Sequence, residues 1–85
     1  MNVTVLYFAR LREAIGRDRE ELALPADVAT LGGLRAWLIA RGAPWADAFA
    51  QIRRIRGAVN QAMASDDTPL ADGAEVAFFP PVTGG

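Results

Sequence analysis

The order of strand-like and helix-like segments limits the folds open to this chain. Residues 3–8 and 75–79, near its two ends, are rich in β-branched and aromatic side chains, which is typical of buried strands. Between them, Leu31, Leu34, Leu38 and Ile39 fall near helical spacing. Strands and a helix of this kind must bury their apolar faces against each other, so we expect an α+β domain.

Shorter signals predict the elements between the first strand and the main helix. Leu11 and Ile15 lie four residues apart, which predicts a short helical turn that Gly16 ends. Residues 19–24 place two leucines on one face and are followed by Pro25. They therefore predict a second strand that returns beside the first.

The elements that follow are indicated by caps and turn residues. Thr30 is expected to cap a helix over residues 31–41, which Gly42 ends. Residues 44–49 predict one more helical turn, and residues 55–61 predict a third strand.

The resulting order is strand, strand, helix, strand, strand, with no internal repeat and no linker between domains. A ubiquitin-like β-grasp fits this order: a mixed sheet of four to five strands with one main helix packed on one face. We expect residues 1–79 to form this domain. Residues 80–85 are expected to form a flexible, extended Gly-Gly tail.

The composition removes most routes to catalysis by the chain alone. It contains no Cys, no His and no Lys, so a thiol nucleophile, a histidine base and a Schiff base are all excluded. We expect no metal and no bound cofactor. Nine Arg balance ten acidic residues for a net charge of −1, which argues against a nucleic-acid partner. No signal peptide or membrane span is evident, which favours a cytoplasmic protein that does not bind membranes.

Two pairs of adjacent aromatic residues predict an exposed apolar surface. Side chains alternate across a strand, so Tyr7 and Phe8, like Phe78 and Phe79, cannot all be buried in one core. Scattered surface hydrophobes are the ordinary explanation; a docking patch for a partner is the functional one, and we favour it. The candidate partner-binding residues are Phe8, Met63 and Phe79, with Arg12 at the rim, together with Pro80, Pro81, Val82 and Thr83 of the tail.

The last six residues are the most informative part of the sequence. Pro80 and Pro81 cannot extend a central strand and direct the chain away from the domain. Val82 and Thr83 follow, and the extended segment reaches roughly 20 Å. Gly84 and Gly85 lack a Cβ, so such an end can enter a narrow tunnel and present its carboxylate to chemistry held by another protein. A frayed terminus is the alternative interpretation.

These motifs closely resemble the family of small, sulfur-carrying subunits of molybdopterin synthase. The resemblance lies in residues 5–13, 58–61, 69–73 and 75–85, and it spans nearly the whole chain. Its most specific part is the ending Phe-Phe-Pro-Pro-Val-x-Gly-Gly. Residues 16–54 are the least distinctive.

The resemblance implies a β-grasp domain and a defined sulfur cycle. An adenylating enzyme similar to ubiquitin E1 would use ATP to activate the Gly85 carboxylate, and sulfur would then replace the adenylate to give a thiocarboxylate. The loaded tail, with Gly84 before it, would enter the large synthase subunit. There it would donate sulfur to cyclic pyranopterin monophosphate, forming the dithiolene of molybdopterin, within an expected heterotetramer.

Other interpretations share parts of this pattern. A sulfur carrier for thiamine or cysteine synthesis has the same Gly-Gly end, but usually lacks the Phe-Phe-Pro-Pro segment. A ubiquitin-like protein modifier would instead join Gly85 to lysines of target proteins. A passive binding module would not need the tail at all.

Overall fold

Five strands and three helices form in residues 1–81, the part of the chain that this computed structural model describes. In chain order they are β1 (Asn2–Tyr7), α1 (Ala9–Ile15), β2 (Arg19–Ala23), α2 (Leu31–Ala40), α3 (Trp45–Gln51), β3 (Arg56–Val59), β4 (Ala62–Ala64) and β5 (Glu75–Phe79). The predicted α+β class is confirmed, and the predicted strands and main helix occur in the predicted order, with one further strand, β4, that was not predicted.

The strands form one mixed sheet in the order β2-β1-β5-β3-β4. Only β1 and β5 are parallel, with Tyr7 opposite Phe78, and the remaining pairs are antiparallel. The two ends of the chain therefore supply adjacent strands at the centre of the sheet. As a result, the end of β1 and the end of β5 lie at the same edge of the molecule.

The main helix covers one face of this sheet, as its leucine spacing predicts. Leu31, Leu34 and Leu38 are fully buried, and they meet a core that includes Val5 and Val76. Fully burying a leucine side chain contributes roughly 1.5–3 kcal/mol. Burial of this one apolar stripe therefore fixes α2 on the sheet.

The start of α2 is satisfied by a cap and by a neighbouring loop. The Thr30 hydroxyl accepts a hydrogen bond from the Gly33 amide at 3.1 Å, which confirms the predicted cap. The Leu31 and Gly32 amides donate to the carbonyls of Thr68 and Asp66. A Cβ on Gly32 would lie 2.9 Å from the Asp66 Cβ, so the glycine permits this close approach.

The predicted third strand is shorter than expected, and a strand that was not predicted, β4, follows it. The sequence predicts a single strand over residues 55–61, but β3 ends at Val59 and the chain turns at Asn60 and Gln61. Both turn residues have positive φ, at 49° and 71°, which reverses the chain into β4. The Asn60 side chain also accepts a hydrogen bond from the Glu75 amide at 3.0 Å, which ties the turn to β5.

The core contains one buried carboxylate, on Glu20 of β2. It accepts hydrogen bonds from the Tyr7 hydroxyl at 2.7 Å and from the Trp45 indole at 3.0 Å. Arg17 and Arg41 each form an ion pair with it at 3.1 Å. The group links β1 and β2 to α3 and to the end of α2. Sequence inspection did not identify it.

The helices of residues 1–81 are all too short or too polar to cross a membrane.

Candidate docking face and tail base

Strand β5 ends beside the start of α1, and the chain then leaves the sheet through two prolines. Phe79, Pro80 and Pro81, here called the tail base, are all half-buried. The Phe8 amide donates to the Phe78 carbonyl at 3.2 Å, so the ladder between β1 and β5 persists up to this point. Pro80 and Pro81 have no amide hydrogen with which to extend it. The strand therefore stops where the tail begins.

The alternation of β1 and β5 is as predicted. Val3, Val5 and Tyr7 are no more than 3% exposed, and Val76 and Phe78 are fully buried beneath α2. Their neighbours in sequence point to the other side of the sheet, here called the open face, which no helix covers. Across it, the register aligns Leu6, Ala77, Ala58 and Met63 in one row.

The side chains of this row are short at its centre and long at its two ends. Ala58 and Ala77 are small, whereas Leu6 and Met63 are long. The Met63 side chain is 58% exposed and Phe8, at the end of β1, is 46% exposed. Large apolar side chains around a shallow floor are typical of a surface that a partner covers.

Two clefts flank the tail base. The first, the sheet cleft, has a volume of about 400 Å³ and is lined by Arg56, Met63, Phe79 and Pro81. The second, the helix cleft, has a volume of about 700 Å³ and lies between the start of α1 and the end of α3. The lining of the helix cleft is Ala9, Arg10, Gln51, Ile52, Arg53, Phe79, Pro80 and Pro81. Phe79 and Pro81 line both clefts and so form the ridge between them.

The structure brings most of the predicted partner-binding residues together. Phe79 and Met63 share the sheet cleft, and Phe8 lies at the same end of the sheet. Arg12 is exposed one turn after Phe8, but it lines a separate hollow with Glu13, Gly16, Arg17 and Asp18. Binding of a partner by these four residues stays a prediction. Val82, Thr83, Gly84 and Gly85 lie outside the described residues.

Three arginines beside the tail base were not identified from the sequence. Arg10 and Arg53 line the helix cleft, and Arg56 lines the sheet cleft opposite Phe79. Arg53 and Arg56 belong to one short basic run, Arg53-Arg54-Ile55-Arg56, which is a local signal for two of the three. Arg10 comes from α1, and only the fold brings it to the same tail base.

The side chains in these clefts are suited to binding. The described lining residues offer guanidinium groups, one amide and apolar surface, with no carboxylate among them. Such a surface can hold a partner and orient a chain end. Within residues 1–81, no cluster of acidic side chains is arranged to hold a metal ion.

Comparison with known proteins agrees with the resemblance indicated by the ending of the chain. The family model described as the ThiS family matches residues 5–85.

The chain belongs to the ThiS family.

A curated relative supports a specific branch of this family. The molybdopterin synthase sulfur carrier subunit of Escherichia coli K12 is 48% identical over 83 residues, which cover 98% of this chain and 99% of that protein. The resemblance to the sulfur-carrying subunits of molybdopterin synthase, inferred from the ending and from the residues of β1, is thus confirmed.

Two solved structures support the fold. SAMP1 from Haloferax volcanii matches with a TM-score of 0.79 at 25% identity, covering all of both chains. A complex of subunits 1 and 2 of molybdopterin-converting factor from Helicobacter pylori matches with a TM-score of 0.67 at 26% identity, again over both full chains. The mixed five-stranded sheet with its packed helix is a β-grasp, as predicted.

Proposed function

We propose that this protein is the sulfur carrier subunit of molybdopterin synthase and that Gly85 carries the sulfur. The observation that carries this proposal is the Gly-Gly ending, which follows Pro80 and Pro81 after two residues in a chain whose central strand β5 ends at Phe79. Full-length similarity to a sulfur carrier subunit supports it. Membership of the ThiS family supports it as well.

The chemistry requires activation of a carboxylate that is otherwise a poor electrophile. In the proposed cycle, a Gly85 carboxylate oxygen attacks the α-phosphate of ATP on an adenylating enzyme and releases pyrophosphate. A sulfur nucleophile then displaces AMP from the carbonyl carbon, leaving a terminal thiocarboxylate. The chain itself has no Cys, His or Lys, so the acid–base groups and the sulfur source belong to its partners.

The role of the folded domain in this cycle is delivery. The open face and the two clefts give a partner a surface to hold, and the tail base, from which the last four residues continue, lies beside that surface. A partner that covers Phe79 and Met63 therefore receives the tail next to its contact. The proposed partners are the large synthase subunit, in a heterotetramer, and an adenylating enzyme similar to ubiquitin E1. We place the cycle in the cytoplasm, with ATP bound by the activating enzyme and no cofactor held by this chain.

Intact-mass analysis tests the proposal. After incubation with its adenylating enzyme, ATP and a sulfur source, we expect the chain to gain one sulfur in place of one oxygen, located on Gly85 by fragmentation. Deletion of Gly85 should abolish loading, and the circular dichroism spectrum of this variant should match that of the parent because the last strand, β5, ends six residues earlier in the sequence.

Two results would contradict this proposal. Sulfur located on any residue other than Gly85 would exclude the mechanism. Covalent conjugates between this chain and lysines of other proteins, found in place of a thiocarboxylate form, would identify a protein modifier instead.

A further inference from the structure

The three arginines beside the tail base surround it with positive charge, and the sulfur cycle proposed above does not use this charge. Arg10, Arg53 and Arg56 line the two clefts that flank Phe79 and Pro81, and the described lining of both clefts contains no carboxylate. We call these three residues the basic collar. Two of them lie on the α1 and α3 side of the tail base, and one lies on the β3 side.

Three other arginines form ion pairs, whereas Arg12, Arg19 and Arg54 form none within residues 1–81. Arg17 and Arg41 form ion pairs with Glu20, and Arg35 pairs with Asp66 at 3.5 Å. Within residues 1–81, none of the three collar arginines forms a salt bridge. An exposed guanidinium retains its donors for a carboxylate on another molecule, which it can bind through two parallel hydrogen bonds.

The charge of the open face changes sign along the strands. At the end far from the tail, Thr4 pairs with both Glu21 and Glu75, so two carboxylates border that end. At the tail end, Phe79 pairs with Arg56. Although the net charge of the chain is −1, acidic and basic side chains therefore lie at opposite ends of the open face. The basic end is the one that carries the tail base.

We infer that the basic collar docks on an acidic protein surface that borders the opening through which the tail enters the large synthase subunit. This inference rests on the proposed function and adds the chemistry of the partner surface. Attraction between the acidic surface and the basic collar would orient the approaching domain so that its tail faces the opening. The apolar contacts of Phe79 and Met63 would form afterwards. Charges arranged in this way act chiefly on the association rate.

Association kinetics with the large subunit test this inference. Reversal of all three charges (Arg10→Glu, Arg53→Glu, Arg56→Glu) is expected to slow association at low salt by at least about tenfold. The parent rate should fall between about 0.01 M and 0.15 M salt, where the screening length shortens from roughly 30 Å to 8 Å. The triple variant should lose this salt dependence.

Two controls separate local charge from net charge and from shape. Ala36→Glu combined with Ala40→Glu makes the same change of two charge units at exposed positions of α2, on the other side of the sheet from the open face, and should slow association less than any single collar reversal. Replacement of the three collar residues by Lys keeps the charge and should keep the association rate within about twofold.

Several outcomes would overturn the inference. These are parent-like association of the triple Glu variant, an effect of the α2 control variant equal to that of a collar reversal, or a lysine variant as slow as the glutamate variant. Binding of the collar to a DNA oligonucleotide in competition with the large subunit would also overturn it. Intact-mass analysis of the same samples distinguishes this failure from failure of the proposed function, because a parent chain that never acquires sulfur on Gly85 contradicts the latter alone.

Discussion

At the scale of single residues, Glu20 has the most unusual surroundings. Burial by itself would raise the pKa of its carboxyl group, but hydrogen bonds from Tyr7, Trp45 and Arg41, together with the Arg41 charge, lower that pKa below its ordinary value of 4.5. Burial raises the pKa of the Tyr7 hydroxyl, as do its hydrogen bond to Glu20 and the charge of that carboxylate. The Arg41 guanidinium also stacks on Trp45, 3.7 Å from the ring centre. The ionised carboxylate is therefore a structural charge that holds four segments together.

Replacement of Glu20 by Gln tests this role. The amide nitrogen cannot accept hydrogen bonds from the groups that now donate to the carboxylate, so the free energy of unfolding at pH 7 should fall by about 1.5–3 kcal/mol. The pKa of Glu20 is lower in the folded state than in the unfolded state, so its carboxylate stabilises the protein above pH 4.5. This stabilisation is lost as the pH falls through the folded-state pKa.

Urea unfolding from pH 7 to pH 3 measures both effects. The parent should lose stability in the acid range more steeply than Glu20→Gln. Glu21→Gln, an adjacent and exposed change, serves as the control and should leave the stability at pH 7 within about 0.5 kcal/mol. If the free energies of unfolding of the parent and of Glu20→Gln fell equally with decreasing pH, Glu20 would not contribute to the loss of stability in acid.

At the scale of elements, the contact between α2 and β3 depends on the absence of one side chain. A Cβ on Gly57 would lie 2.7 Å from Leu31 Cδ2 and 3.1 Å from Leu31 Cδ1. Leu31 is fully buried, so it has little room to move away. Arg35 on the same helix reaches the Ile55 carbonyl at 2.9 Å, just before β3 begins. Helix and strand thus approach closely at the end of the sheet that carries the tail base.

Gly57→Ala should therefore destabilise the protein. An alanine in a strand gains about 0.5–1 kcal/mol over glycine, but overpacking typically costs about 1–3 kcal/mol, so we expect a net loss of roughly 1–2 kcal/mol. Thermal and urea unfolding measure it. A double-mutant cycle with Leu31→Val should show that the smaller partner reduces the cost of the Gly57→Ala substitution. Additive losses would place the strain elsewhere.

At the scale of the whole molecule, the parallel pairing of β1 and β5 gathers the candidate site. It places the end of β1, with Phe8, beside the end of β5, with the tail base. The antiparallel pairing of β3 then brings Arg56 opposite Phe79. Apolar surface, charge and the start of the tail therefore meet at one end of the open face, although they come from distant parts of the sequence.

Phe79→Asp tests the open face as the docking surface. Loss of a central aromatic contact typically costs about 2 kcal/mol or more, so the Kd for the large synthase subunit should rise by roughly 30-fold or more. Ile39→Asp is the matched control, since Ile39 is 39% exposed on α2, away from the open face. It should leave the Kd unchanged. Calorimetric titration with both variants measures the difference, and equal affinities for Phe79→Asp and the parent would exclude Phe79 from the interface.

The sequence predicted the features that depend on nearby residues. Alternation assigned Tyr7 and Phe78 to the core and Phe79 to the open face, because neighbouring side chains of any strand point to opposite sides. The cap at Thr30 and the helix stop at Gly16 were likewise predicted, since both depend on hydrogen bonds within one turn. The Gly-Gly ending identified the candidate reactive group without any structure.

Only the tertiary structure decided features that join separate segments. Glu20 is charged and lies in an ordinary strand pattern, so its burial became visible only with Trp45 and Arg41 around it. The role of Gly57 became visible only with Leu31 packed against it, and the basic collar exists only because the fold brings Arg10 of α1 to the same tail base as Arg53 and Arg56. Side-chain periodicity is a local property of the backbone, whereas contacts and charge separation depend on how the elements pack.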